Sequence, residues 1–293
     1  MTRKADITFD GLLAQLHARF TAANRDAARG VLRDVQLLIM GLAGLDKAGL
    51  IARGGNQVPE NVLGHIESGF ARYELGEPVH RILGRREFHG LDFSLSPDTL
   101  EPRDDTECLI ELVLSHIPDR RSSIELADLG TGTGIVGLSL LHELPHARGV
   151  LCDISGSALE TARANAARLG FADRATCRQG DWLAALEGME PFDILVSNPP
   201  YIDAEAMAQL APGVAKFDPH AALYGGADGL DAYRIILGDA AVWLKPDGFL
   251  AVEIGHDQKQ GIHDLARTTG WAISEVATDI EGRDRAVLLR RDQ

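Results

Sequence analysis

The chain has 293 residues, room for one large domain or two of ordinary size, and its 45% hydrophobic and 25% charged residues are those of a folded globular protein. Its formal net charge of −14 weighs against stable, sequence-independent binding of nucleic acid, which needs Lys and Arg to neutralise phosphates. Cys108, Cys152 and Cys177 stand singly, so they form no disulfide framework and no CxxC pair for zinc; the reading is small buried thiols in a reduced, cytoplasmic protein, with no metal.

The basic start, Met1 to Lys4, leads into no apolar run, and no segment approaches the ~20 apolar residues of a membrane span, so neither a secretory signal nor a membrane partner is expected. Residues 1–78 read as a small helical bundle. "FDGLLAQLHARF" sets Leu12, Leu13, Leu16 and Phe20 on one helical face, and "VLRDVQLLIMGL" does the same with Val31, Val35, Leu38, Ile39 and Leu42. A third helix begins at Pro59 and lines up Val62, Ile66, Phe70 and Tyr73. Residues 79–105 form a connector, in which "REFHGLDFSLSPDTL" alternates around His89-Gly90 as a hairpin does. Residues 106–293 make the second domain.

From about residue 122 the pattern alternates strand and helix. "IELADLG", "GVLCDIS", "ATCRQGD" and "FDILVSN" are strands, followed by a helix over 229–244, the strand "GFLAVEIG", a helix over 257–269, and strands near 271–279 and 285–291. Alternation of this kind predicts an α/β fold with a mostly parallel, Rossmann-like sheet covered on both faces. The last two strands have no helix between them and predict an antiparallel edge pair. Ligands of such sheets bind beyond the carboxyl ends of the strands, which selects "DLGTGTG", "CDIS", "GDW" and "SNPPY" together.

Each of these strand ends has its own chemistry. In "DLGTGTGIVG" three alternating glycines, Gly130, Gly132 and Gly134, let the backbone approach a ligand at a helix start, more than a bare turn needs. Gly132-x-Gly134-x-x-Gly137 formally meets the dinucleotide fingerprint, and Asp153 stands where it can hold ribose hydroxyls or cap the next helix. NAD and S-adenosylmethionine fit these features equally well. Asp181 and Trp182 suit an adenine, or a core tryptophan with a capping aspartate.

"NPPY" separates the two cofactors. Its prolines fix two φ angles and remove two donors at a strand end, which benefits a site more than a sheet. An amide nitrogen is a poor nucleophile because its lone pair is delocalised. Acceptors aimed at its N–H groups align it and stabilise the charge it develops on methylation. Asn198 offers a side-chain carbonyl, Pro199 a backbone carbonyl, and Tyr201 a ring for the planar group. A nicotinamide enzyme has no use for this motif, and a non-catalytic module has no need of Asn198.

Together "GTGTG", "DIS…AL…A..NA..LG", "GDW" and "SNPPY" resemble the N5-glutamine methyltransferases that modify peptide chain release factors. The resemblance extends over residues 76–290, through "GEPVHRILGRREFHGLDFSL", "EPRDDTE", "AALYGGADGLDAYRIIL", "AVEIGHDQ" and "GRDRAV", and is weaker in the bundle. It implies a class I methyltransferase fold, S-adenosylmethionine as donor (leaving S-adenosylhomocysteine), and the glutamine of the Gly-Gly-Gln loop of class I release factors as acceptor, in a monomeric enzyme whose bundle docks the factor. Implied cofactor residues are Asp128, Gly130, Thr131, Gly132, Thr133, Gly134, Asp153, Ile154, Asp181, Trp182 and Asn198. Asn198, Pro199 and Tyr201 are the implied catalytic residues, with Pro200 joining them at the substrate. Other readings are a glutamine methyltransferase of a ribosomal protein and an adenine N6-methyltransferase; the acidic charge argues against the second. Glu101 and Asp104 stand where the family has a hydrophobic residue and a second proline, which puts the rigidity of this connector in question. The long stretch from Asp203 to Gly229 is expected to fold over the acceptor site, with His220 structural.

Overall fold

The computed structural model describes residues 7–23 and 30–292, and the chain divides into two units between Gly84 and Arg85. The stretch read as a connector, 79–105, is thus shared between the units: a short helix falls in the first and the hairpin in the second.

Five helices build the first unit: α1 (Phe9–Ala23), α2 (Val31–Ala43), α3 (Lys47–Ala52), α4 (Glu60–Glu74) and α5 (Val79–Leu83). The apolar positions spaced for one helical face meet in one core, with Leu12, Leu16, Leu38, Ile39, Ile66 and Phe70 essentially without exposure. Tyr73 also faces inward, and its hydroxyl donates to Asp34 Oδ2 at 2.8 Å.

The second unit opens with the hairpin of β1 (Arg85–Phe88) and β2 (Leu91–Ser94), closed by His89 and Gly90, both at positive φ as a tight two-residue turn demands. There follow α6 (Glu107–Ser115), β3 (Glu125–Leu129), α7 (Ile135–Glu143), β4 (Arg148–Asp153), α8 (Gly156–Arg168), β5 (Ala175–Gln179) and β6 (Phe192–Ser197). The chain continues through α9 (Ala204–Met207), α10 (Pro212–Phe217), α11 (Asp231–Asp239), β7 (Leu244–Glu253), α12 (Lys259–Thr269), β8 (Trp271–Thr278) and β9 (Asp284–Arg291). The strands form one sheet in the order β5-β4-β3-β6-β7-β9-β8, parallel except at β7-β9 and β9-β8. The expected α/β sheet with an antiparallel edge pair is therefore observed.

Alternation along the strands feeds two cores. Leu126, Ile194, Val196, Ala251 and Leu288 pack with α6 and α7, while Ala127, Leu195, Leu250, Val252 and Val287 pack with α11 and α12. The strand order reverses about β3, with β4 on one side and β6 on the other. That reversal opens a crevice at the carboxyl ends of the central strands. Two expectations need correction. Helix 229–244 ends earlier, at Asp239, followed by a 3-10 turn to Trp243. Of the three thiols only Cys152 is buried; Cys108 and Cys177 are half-buried. Among the described residues no helix is long and apolar enough to cross a membrane.

Candidate active site

A cavity of about 480 Å³ opens at the carboxyl ends of β3, β4, β5 and β6, within the 300–1,000 Å³ typical of small-molecule sites. Its floor is the turn after β3. Asp128 is fully buried there, and its Oδ2 accepts from Thr131 Oγ1 at 2.5 Å and from the Gly137 N–H at 3.0 Å. Burial pushes its pKa up to about 6, although both donors favour the charged form. Gly130 has φ 70°, and a Cβ there would stand 3.2 Å from Trp182 Cζ3, so neither the backbone nor the indole leaves room for a side chain.

Asp153, at the end of β4, lines the cavity and ties the glycine turn to the next helix: Oδ2 accepts from the Gly132 N–H and Oδ1 from the Ser155 N–H, each at 2.9 Å. The side-chain cap of α8 is Ser155, whose hydroxyl accepts from the Ala158 N–H at 3.2 Å, so capping is not what holds Asp153. After β5, Asp181 is exposed and makes no capping hydrogen bond, and Trp182 is half-buried at φ 47°. Both line the cavity, as does Ile154, a large apolar side chain 63% exposed. Thr131, Thr133 and Gly132 complete this wall, whereas Gly134 starts α7 and packs against Leu138 instead.

At the end of β6, Ser197 Oγ donates to the Leu129 carbonyl at 2.7 Å and joins the two central strand ends. Asn198 follows and lines the cavity. Its Nδ2 donates to Thr106 Oγ1 at 3.1 Å, which leaves Oδ1 as the acceptor available to a ligand. Pro200 also lines the cavity, while Pro199 is buried. Tyr201 lies elsewhere than against a planar group in this cavity: it lines a neighbouring cavity of about 320 Å³, and its hydroxyl donates to Glu253 Oε1 at 3.4 Å. Burial beside this carboxylate pushes the phenol pKa up.

The backbone after NPPY is held on three sides. Gln258 Nε2 donates to the carbonyls of Tyr201 at 2.9 Å and Gly229 at 3.0 Å, and Ile202 exchanges 2.9 Å hydrogen bonds with Leu223 and Gly225. The stretch 203–229 is mostly structured, and its Pro219, Ala221 and Ala222 line the same cavity as Asn198. Asp218, just before them, accepts from Arg103 Nη2 at 2.6 Å and from the Glu101 N–H at 3.2 Å.

Sequence reasoning left this wall out of the candidate site. Asp98, Thr99, Leu100, Pro102, Arg103 and Thr106 all line the cavity, and the signal was the "EPRDDTE" segment itself. Glu101 and Asp104 do not loosen it. Arg86 of β1 binds both, Nη1 to Glu101 Oε1 at 2.7 Å and Nη2 to Asp104 Oδ1 at 2.6 Å, with Glu101 buried. An ion pair fastened to the hairpin stands in place of proline stiffness. Glu253 was also missed; a lone carboxylate closing the apolar run "FLAV" was the available signal.

A cavity with carboxylates at Asp153 and Asp181, an indole and an exposed isoleucine fits a cationic molecule that carries a ribose diol and a planar base. Comparison with known proteins agrees. Residues 106–213 match the family described as "Methyltransferase small domain", and residues 11–84 match "PrmC N-terminal domain". A release factor glutamine methyltransferase of Agrobacterium fabrum is 42% identical over 92% of this chain and 95% of its own length. Another, of Bradyrhizobium diazoefficiens, is 43% identical over 94% of this chain and 92% of its own. Among solved structures, the catalytic domain of hMettl16 in complex with an RNA hairpin superimposes with a TM-score of 0.55 at 14% identity, covering 75% of this chain and 81% of that one, a likeness of fold alone. With identity at this level over both units, the chain belongs to the release factor glutamine methyltransferase family.

Proposed function

We propose that this protein transfers a methyl group from S-adenosylmethionine to the side-chain amide nitrogen of the Gly-Gly-Gln glutamine in class I peptide chain release factors, as a monomer without metal. The observation that carries the reading is the Asn198 side chain, whose amide nitrogen is committed to Thr106 and whose carbonyl is left for the cavity it lines.

The donor, when bound, supplies a methyl group made electrophilic by a sulfonium. Asp153, Asp181, Trp182, Ile154 and the glycine turn would hold it. The protein's part is to present the nitrogen. Asn198 Oδ1 accepts one N–H of the glutamine amide, which orients the plane of the group and stabilises the positive charge that grows on nitrogen. The stiff Pro199-Pro200 backbone keeps that acceptor in place at little entropic cost. The turn holding Pro219, Ala221 and Ala222 covers the cavity and limits water. No strong base is needed, because the methylated amide is acidic enough to lose its proton to water. The helical unit, α1 to α5, would dock the release factor.

The test is transfer of labelled methyl from S-adenosylmethionine to a purified release factor, with the Gly-Gly-Gln glutamine changed to alanine and Asn198→Ala as controls. Label on the unaltered factor alone supports the reading. Label on a ribosomal protein or on DNA, and none on the factor, rejects it.

A further inference from the structure

Glu253 ends β7 one residue beyond the apolar run Phe249–Val252, and it is 1% exposed. Its Oε1 accepts from the Tyr201 hydroxyl at 3.4 Å, and the Thr106 hydroxyl lies against the same carboxylate and favours its charged form. Its Oε2 is buried with no hydrogen-bond partner. Leaving a buried carboxylate oxygen unsatisfied is costly, and an apolar side chain would fill a strand position more cheaply. The carboxylate's two hydroxyl contacts both lead to the acceptor motif: Tyr201 belongs to it, and Thr106 holds Asn198.

We propose that Glu253 is the positioning residue that sets the hydrogen-bond polarity of the acceptor clamp, acting through Thr106 on Asn198. This rests on the function proposed above. An ionised carboxylate only accepts. The Thr106 hydroxyl has one proton and gives it to Glu253. Its oxygen then accepts from Asn198 Nδ2, and Asn198 Oδ1 is left for the substrate. If the group at 253 is a neutral donor, the order reverses: it donates to Thr106, Thr106 donates to Asn198 Oδ1, and the amide turns its N–H groups to the cavity. A donor then meets the incoming glutamine N–H, and the clamp repels what it should hold.

Burial pushes the Glu253 pKa up to about 7. The titratable and charged groups facing it are Asp105 and Cys108 around the start of α6, Tyr201 after β6, Tyr233 on α11, Asp279 after β8 and Arg285 on β9. Arg285 alone favours the carboxylate, Asp105 opposes it, and Tyr233 donates to the Glu253 backbone carbonyl at 2.7 Å.

The test uses the full chain with Glu253→Gln, Thr106→Val and Thr106→Ser. Glu253→Gln is expected to lower kcat roughly 10- to 100-fold, the range of groups that orient a ligand-binding side chain, with S-adenosylmethionine affinity within about twofold of wild type. Wild-type kcat should rise with pH through about 7, and Glu253→Gln should lose that limb. Thr106→Val should match Glu253→Gln, the double variant should be no worse than either, and Thr106→Ser should restore most of the rate. In protein labelled with 15N-asparagine, the Asn198 side-chain NH2 pair, assigned by its absence from Asn198→Ala, should titrate with the wild-type carboxyl and stay still in Glu253→Gln. This last readout needs no acceptor, so it judges the inference even if release factors prove not to be substrates. The inference is overturned by an Asn198 pair that does not titrate in wild type, by a wild-type kcat in Glu253→Gln, or by a rate loss matched by loss of cofactor affinity.

Discussion

Gly225 supports the acceptor motif through backbone alone, and filling it tests whether the motif's position matters. A Cβ at this position would stand 2.6 Å from the Pro200 carbonyl oxygen, 2.8 Å from Tyr201 Cα and 2.9 Å from the Gly229 carbonyl oxygen. All three atoms are main chain, so no rotamer change relieves the clash, and Pro200-Tyr201 must move by a sizeable fraction of an ångström. Overpacking of this kind costs about 1–3 kcal/mol. For a unit of this size each kcal/mol lowers Tm by about 2–4 °C, so Gly225→Ala should melt a few degrees lower and remain folded. The catalytic cost should be larger, since misplacing a reacting group by ~1 Å can cost on the order of a hundredfold. Steady-state methyl transfer should show the loss in kcat and in acceptor KM, while calorimetry shows S-adenosylmethionine binding within about twofold of wild type, because the glycine turn is untouched. Gly238→Ala is the control. No atom lies within 4 Å of a Cβ there, and alanine favours a helix such as α11 by about 1 kcal/mol. A Gly225→Ala enzyme with wild-type kcat and KM would refute the reasoning.

Further expectations concern the cofactor wall, the covering segment and pH. Trp182→Ala should weaken S-adenosylmethionine binding about tenfold or more, the 1–3 kcal/mol that a base stacked on an aromatic ring carries, with kcat at saturation nearly kept; equilibrium binding distinguishes this from a general loss of folding. Arg103→Ala leaves the buried Asp218 carboxylate without its 2.6 Å partner, so limited proteolysis within 203–229 should speed up and acceptor KM should rise, whereas unchanged cleavage would sever this link between the wall and the covering segment. Asp128 and Glu253 both have folded pKa values raised by burial, to about 6 and about 7. Each binds its proton more tightly folded than unfolded. The stability each contributes is full below the unfolded carboxylate range and is lost as pH rises through the folded value, a loss on the order of a few kcal/mol. Tm should therefore fall between about pH 4 and 7, and Asp128→Asn or Glu253→Gln should flatten that slope; an unchanged slope in both would contradict it.

The elements legible in the sequence are those with a local cause. The alternation of "REFHGLDFSL" about His89-Gly90 specifies a hairpin because two positive φ values in succession suit little else. The strand–helix rhythm from Glu125 to Ser197 specifies a parallel sheet, and two closing strands without a helix between them specify the antiparallel edge. α6 escaped notice because "ECLIELVLS" is apolar almost all round, as befits a helix buried against β7 and β9, and so shows little of the one-sided pattern that marks an exposed helix.

The site divides in the same way. By itself the sequence determined which strand ends carry chemistry, since Gly130, Asp153, Asp181 and Asn198 each follow a strand, and the topology of such sheets places those ends together. Only the tertiary structure decided the partners of those groups. Arg86 reaches Glu101 and Asp104 across 15 and 18 residues, Thr106 meets Asn198 across 92, and Tyr201 turns away from the cavity towards Glu253 across 52. Hydrogen bonds over such separations follow from packing, and no local pattern encodes them. A residue type sets what a group can donate or accept; the fold sets which neighbour takes it, and so which atom of Asn198 is left for the substrate.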